Sequence, residues 1–237
     1  MKRQQGGFTL VEIAIVLVII GLLLGGILKG QELINSARVR NLADTNSGIQ
    51  AAYYGFIDRY RNVPGDWAPA AATTAIGETV VLPDGGGAIG NGRVDNNLPE
   101  AAGVWEQLSK AGFIQGQYNP TAGPTDDGAT YTGFAPSNPF GGALTLTRND
   151  DYEDDGTASD RLNLHLGLNI PVNIARELDV KLDDERPQTG DLRLSSPSAP
   201  FASLHAVDTG VSCMTGTTPE EYNIAGDSQD CGVVYLY

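Results

Sequence analysis

The sequence contains few basic residues, few histidines and few cysteines for its length. Its 237 residues include 15 Lys and Arg against 29 Asp and Glu, with two His and two Cys. Affinity for duplex DNA comes largely from Lys and Arg that neutralise phosphates, so this composition disfavours nucleic-acid binding by the chain. A cysteine nucleophile is also disfavoured, because only His165 and His205 could activate one and no motif places either.

Familiar catalytic and cofactor-binding signatures are missing as well. The sequence has no G-x-S-x-G, no H-E-x-x-H, no Walker loop, no dinucleotide fingerprint and no C-x-x-C pair. It also has no internal repeat and no long single-residue tract. These observations favour a structural protein over an enzyme, and no cofactor is predicted.

The longest apolar segment runs from Phe8 to Leu28 and holds one charged residue, Glu12. As a helix rising about 1.5 Å per residue it would span roughly 30 Å, the hydrocarbon thickness of a bilayer. Lys2 and Arg3 form a positive flank that stays cytoplasmic. A secretory signal would have a small-residue cleavage site after its apolar core, whereas here the pair Gly6-Gly7 precedes it.

The hexapeptide Gly7–Glu12 (GFTLVE), ahead of an apolar run, resembles the prepilin signal of type IV pilins and pseudopilins. The resemblance implies that prepilin peptidase cuts between Gly7 and Phe8 and that the new Phe8 amine is N-methylated. It also implies that Glu12 of one subunit pairs with the Phe8 amine of its neighbour. An unpaired carboxylate in lipid costs several kcal/mol, and the alternative is a Glu12 close enough to the interface to stay hydrated.

Glycines recur along the same apolar segment. Gly21-x-x-x-Gly25 and Gly26-x-x-x-Gly30 have the small-residue spacing that lets helices approach closely. Alternatively, such glycines give only local flexibility. We predict that they contribute to helix packing between subunits.

Four segments follow from the pattern and the resemblance. Residues 1–7 are a leader that is cleaved, and residues 8–28 form the transmembrane and assembly helix. Residues 29–62 form the amphipathic half of the same helix, whose apolar stripe comprises Leu42, Ile49, Tyr53, Phe56 and Tyr60. The helix must stop by Val63 because Pro64 lacks an amide donor, so residues 63–237 form one globular head.

Within the head, alternating and helical patterns predict short elements. The helices are expected at Glu100–Lys110, with Val104, Trp105 and Leu108 inward, and after Pro171 through Leu182, with Ile174, Leu178 and Leu182 on one face. Strands are expected at Gly141–Thr147, Arg161–Ile170 and Gly190–Leu194, with a further one at Thr79–Leu82 inside a stretch, Trp67–Glu100, that is mostly connection. The resemblance implies an α+β pilin-like roll, in which the long helix packs on an antiparallel sheet.

An acidic segment separates two of the predicted strands. Asp151, Glu153, Asp155 and Gly156 match the register of an EF-hand loop, but the twelfth position, which should be a bidentate Glu, is Leu162. We interpret the segment as a solvated acidic loop and keep a calcium site as the alternative. The segment Asp183-Asp184-Glu185 is interpreted as solvated too, and no other metal site is predicted.

The two cysteines, Cys213 and Cys231, lie near the C-terminus of a head that should be exported. An even count in an oxidising compartment favours a disulfide between them. The resemblance implies that such a bridge closes a C-terminal loop exposed on the filament.

The resemblance implies a structural subunit of a type IV pilus-like filament that polymerises with itself. Its partners would be prepilin peptidase, membrane lipid and an inner-membrane assembly machinery. Its precursor would cross the bacterial inner membrane once, with the leader in the cytoplasm, and the product would lie in an extracellular pilus or a periplasmic pseudopilus. A pseudopilin of type II secretion, a membrane-anchored adhesin or binding module that does not polymerise, and an anchored enzyme are the alternatives.

Overall fold

A computed structural model shows an α+β protein and describes residues 9–81, 89–118, 131, 133–196, 200–205, 213–216 and 220–237. The helices are α1 (Leu10–Tyr60), α2 (Pro69–Ile76), α3 (Leu98–Lys110), α4 (Val172–Leu182) and α5 (Ala202–His205), with a 3-10 turn at Ile224–Gly226. The strands are β1 (Thr145–Asn149), β2 (Arg161–His165), β3 (Leu192–Leu194) and β4 (Val233–Leu236). Helix α1 crosses the division between two compact units, which lies between Val39 and Arg40.

The first unit is the N-terminal part of α1. It is the one helix in the described ranges that is long and apolar enough to cross a membrane, with a mean hydropathy of 2.8 over its best window. A helix satisfies its backbone N–H and C=O groups internally, which is what a segment without water around it requires. The predicted leader, residues 1–7, and Phe8 lie outside the described residues.

The second unit is built on a four-stranded sheet with the order β1-β2-β4-β3, in which every neighbouring pair is antiparallel. Directly paired residues of antiparallel strands share a face, so Leu146, Leu164 and Leu192 lie on the same face as Tyr235. Tyr237 is two residues after Tyr235, so its side chain lies on the same side of the sheet. This face is directed toward α1, because the Tyr237 hydroxyl donates a hydrogen bond to Asn46 Oδ1 at 2.7 Å.

The long helix is packed on this sheet through its predicted apolar stripe. Leu42, Ile49, Tyr53 and Phe56 are buried, whereas Tyr60, the last residue of the stripe, is half-buried. The Phe56 ring lies 5.9 Å from that of Phe113, which follows α3. Beyond Tyr60 the chain leaves the helix at Arg61, whose φ of 56° is left-handed, and Pro64 prevents its continuation. The prediction that the helix stops by Val63 is therefore confirmed.

The opposite face of the sheet is polar and still buried. Thr145, Thr147, Asn149, Asn163 and His165 are each at most 3% exposed. The segment that joins β1 to β2 folds back over part of this face, where Tyr152 packs with Val234 and Leu236. The sequence-based interpretation of this segment as a solvated loop is correct for Asp155, which is exposed, and wrong for Asp151, which is buried.

Helix α3 starts two residues earlier than predicted. Asn97 is its N-cap, and its side-chain oxygen accepts a hydrogen bond from the Glu100 amide at 2.9 Å. Its inward residues are confirmed, since Val104, Trp105 and Leu108 are fully buried.

Several head elements differ from the prediction. Helix α2 occupies part of a stretch that was predicted as connection, and Thr79–Val81 form no strand, while Leu82 lies outside the described residues. Strand β2 ends at His165 instead of Ile170, because Gly167 turns the chain with a φ of 78°. Strand β1 is shifted four residues toward the C-terminus relative to its predicted start, and Leu182 is exposed rather than buried with Ile174 and Leu178.

Candidate functional site

The N-terminus of α1 is closed by a reciprocal side-chain cap. Thr9 precedes the first helical residue, and its amide and hydroxyl donate to Glu12 Oε2 at 2.8 Å and 2.7 Å. The Glu12 amide in turn donates to the Thr9 hydroxyl at 3.3 Å. This is a capping box, T-x-x-E, which satisfies backbone donors that the first turn leaves without partners.

The cap changes how Glu12 is understood. The apolar pattern around Glu12 suggested only a neighbouring amine or water as its partner, although T-x-x-E at Thr9 is the sequence signal of such a cap. Both Thr9 groups donate to Oε2, so within the described residues Oε1 remains open to a second donor. One carboxylate can therefore cap its own helix and accept a cation from outside at the same time.

The apolar residues that follow are exposed on every side of the helix. Leu10 is 88% exposed and Leu22 is 73% exposed, and no residue of the most apolar window is buried. A helix that is apolar all round requires either lipid or other protein to cover it. The helix therefore presents an apolar surface that no other described residue covers.

Four of the six glycines in α1, those of its N-terminal half, have open space around them in the described part of the chain. A Cβ added at Gly21, Gly25, Gly26 or Gly30 would meet no atom of the described structure within 4 Å. No packing inside the described part of the chain accounts for their small size. Their proposed role in close approach between subunits remains untested.

The cysteines form the predicted disulfide. Cys213 and Cys231 are bridged, with their Cα atoms 6.0 Å apart, and both are buried. Cys231 also pairs through its backbone with Ile170, just after β2. The bridge therefore ties the C-terminal loop to the sheet, and the disulfide prediction is confirmed.

One of the three calcium candidates, Asp151, is engaged by a protein group, and so is Asp154, which lies between the other two candidates. Asp151 accepts a hydrogen bond from Asn149 Nδ2 at 3.1 Å, and Asp154 forms an ion pair with Arg193. Asp151, Glu153 and Asp155 are not among the carboxylates that converge in the described residues. A calcium site at these three residues stays an untested prediction with little support from the geometry.

Carboxylates converge elsewhere, at the C-terminal end of α4. One oxygen each of Asp179, Asp183 and Asp184 lie within 4.8 Å of one another. Asp179 is fully buried and accepts hydrogen bonds from the Tyr222 hydroxyl at 2.7 Å and the Glu185 amide at 3.1 Å. Burial raises the pKa of Asp179 from 3.8 to about 6, against the opposing effect of these hydrogen bonds.

This pKa predicts a pH-dependent stability. Between the unfolded and folded pKa values the folded chain binds more protons at Asp179, so its stabilising contribution is complete near pH 4 and is lost as the pH rises through about 6. Between pH 4.5 and pH 7.5 the unfolding free energy of the wild type should fall, relative to that of Asp179→Asn, by on the order of 2 kcal/mol. Urea titrations at both pH values measure it, and identical pH dependences would contradict it.

Comparison with known proteins places the N-terminus in a defined class. Residues 2–28 match the family described as the prokaryotic N-terminal methylation motif, which is the signal of type IV pilins and pseudopilins. The match confirms the resemblance seen at Gly7–Glu12 and does not extend into the head. No curated protein matches the chain at a significant level. The motif supports a type IV pilin-like or pseudopilin protein, and with the apolar helix it fits a membrane-anchored precursor.

Proposed function

We propose that the chain is the structural subunit of a type IV pilus-like filament and has no enzymatic activity. It enters the bacterial inner membrane as a precursor, is cleaved after Gly7 by prepilin peptidase, and is assembled by an inner-membrane machinery into an extracellular filament. The methylation motif over residues 2–28 supports processing and self-assembly, and the membrane-length helix supports the anchored precursor.

The single observation that carries the proposal is the apolar half of α1, in whose most apolar window no residue is buried. Exposed apolar surface costs about 25 cal/mol per Å² in water, so this segment must remain in lipid or be covered by protein. A subunit that leaves the bilayer needs a replacement for lipid. Identical helices of other copies provide one, and the small residues at Gly21, Gly25, Gly26 and Gly30 let them approach closely.

Charge pairing gives the assembly its register. Cleavage after Gly7 creates an amine at Phe8, which lies outside the described residues, four positions before Glu12. The open Oε1 atom of Glu12 can accept this amine from an adjacent copy while Oε2 keeps the cap. Two buried charges that neutralise each other cost less than either one alone, so copies with matched amine and carboxylate are favoured.

The domain organisation follows from this proposal. Residues 1–7 are the leader, residues 8–28 are both the membrane anchor and the assembly helix, and residues 29–62 carry the helix into the head. Residues 63–237 complete the head, which the filament displays.

A pseudopilin of a type II secretion system is the second candidate, because pseudopilins share the methylation motif. The large head and the disulfide near its C-terminus favour the pilus subunit. Genes beside this one test the choice, since pilus retraction genes support the first candidate and a complete secretion operon supports the second. A membrane-anchored adhesin that never polymerises would have neither pilus retraction genes nor a secretion operon beside its gene.

Processing is the direct test of the proposal. We expect the intact mass of the filament-associated chain to correspond to a polypeptide that starts at Phe8 and carries one methyl group. Gly7→Leu should abolish cleavage because a large side chain replaces the small residue before the cut, whereas Gly6→Ala should be cleaved as usual. A mature chain that keeps Met1, or that is cut beyond Leu28, would contradict a prepilin.

A further inference from the structure

The turn at residues 90–92 is held to the head by one buried carboxylate. Asp66, which is 4% exposed, accepts hydrogen bonds from three consecutive backbone amides. The amides of Gly90 and Asn91 donate to Oδ1, and the amide of Gly92 donates to Oδ2 at 2.6 Å. Asp66 thus fixes the backbone of an otherwise exposed turn from 24 residues or more away.

The side chain of Asn91 is fixed as well. Its Oδ1 accepts a hydrogen bond from the Arg93 amide at 3.0 Å, and its Nδ2 donates to Asp95 Oδ2 at 2.8 Å. Arg93 in turn forms an ion pair with the other oxygen of Asp95. Both hydrogen-bonding atoms of the Asn91 amide therefore have partners.

Asn91-Gly92 is the one Asn-Gly pair in the sequence, and this pair has a characteristic chemistry. The backbone nitrogen of the glycine loses its proton and attacks the asparagine Cγ, so that a C–N bond forms, ammonia leaves and a succinimide results. Water then opens the ring to aspartate or isoaspartate. Glycine favours the attack because it has no side chain to hinder it.

In the folded chain both reacting groups, the Gly92 nitrogen and the Asn91 side-chain amide, are held by hydrogen bonds to other residues. The Gly92 N–H is directed at a carboxylate, which opposes loss of its proton, and the Asn91 side-chain amide is held by hydrogen bonds to Arg93 and Asp95. We propose that Asn91 is a latent deamidation site which the Asp66 carboxylate keeps unreactive, so that modification occurs only when this turn opens.

Modification would make the opening irreversible. A carboxylate at position 91 would face Asp95 at hydrogen-bonding distance, and like charges repel each other there. Isoaspartate would add one methylene to the backbone between two amides that Asp66 now binds together. The fraction of chains deamidated at Asn91 would therefore increase with the time that the turn spends open, since the deamidation rate follows the population of the open state.

The test uses the full chain in detergent, incubated at pH 8 and 37 °C, with the Asn91 peptide followed by mass spectrometry for aspartate and isoaspartate. We expect deamidation to be at least about tenfold slower in the native chain than in the same chain unfolded in concentrated urea. Asp66→Asn should accelerate the native reaction at least about tenfold, and Asn91→Gln should abolish the signal. Equal rates in native and unfolded wild-type chain would overturn the proposal.

A second measurement does not depend on a variant. Hydrogen exchange of the wild-type chain should show the Gly92 amide protected, since its proton is bound to Asp66. An unprotected Gly92 amide would overturn the role of Asp66. An Asp66→Asn chain that is folded by circular dichroism but deamidates at the wild-type rate would do the same.

Discussion

Glu12→Gln should leave membrane insertion and cleavage intact and reduce incorporation into filaments at least about tenfold. Glutamine has the size of glutamate and can occupy the same position of a capping box, so the bonds with Thr9 are kept. Only the negative charge is lost. If that charge meets the Phe8 amine of a neighbour, its removal leaves a buried cation without a partner, which costs several kcal/mol.

The cap offers a matched control. Thr9→Val removes the hydroxyl that donates to Glu12 while the carboxylate keeps its charge. We expect this variant to lose about 1 kcal/mol of helix stability and to assemble far better than Glu12→Gln. Immunoblots of sheared filaments against whole cells, with intact mass to verify cleavage, measure both variants.

Two outcomes would sink the charge-pairing mechanism. One is Glu12→Gln protein that is cleaved normally and enters filaments at the wild-type level. The other is equal loss in Glu12→Gln and Thr9→Val, which would show that the cap and not the charge is needed. A fragment from Lys29 onward, which lacks the apolar segment, should not polymerise in either case.

Replacing both cysteines with serine should lower the unfolding free energy of the head by about 3 kcal/mol, because the bridge closes a loop across 18 positions. The loss acts mainly through the unfolded chain, which gains conformational freedom when the link is removed. In the folded chain the C-terminal loop would keep the Tyr222–Asp179 hydrogen bond and the backbone pairing of Cys231 with Ile170. We therefore expect a folded but weakened head.

Urea titration of the oxidised wild type, the reduced wild type and the double variant measures this effect. The reduced wild type and the double variant should agree, because both lack the link. Ser228→Ala is the matched control, since Ser228 lies within hydrogen-bonding distance of Cys213 Sγ at 3.5 Å and its loss leaves the disulfide in place. A double variant as stable as the oxidised wild type would show that the bridge does not stabilise the head.

Local sequence pattern was sufficient to predict those helices and strands whose determining residues lie within a few positions of one another. The apolar run after Phe8 and the stop at Pro64 define α1, since side-chain hydropathy and the missing proline amide act on the helix directly. The same holds for α3 and for the start of β2 at Arg161. Two cysteines permit one intramolecular pairing, so the disulfide could be predicted without knowledge of the fold.

Tertiary structure alone decided which polar groups meet. Asp66 binds amides at residues 90–92, and Asp179 binds Tyr222 across 43 positions, neither of which has a local sequence signal. The buried polar face of the sheet could not be predicted either. Alternation of apolar and polar residues shows that a strand has two faces, but it does not show what covers each face. Sequence thus determined the membrane-length helix, the methylation motif and the cap residues, whose physics is local. The fold determined the carboxylate contacts and the latent Asn91 site, because these depend on which distant segments share one desolvated space.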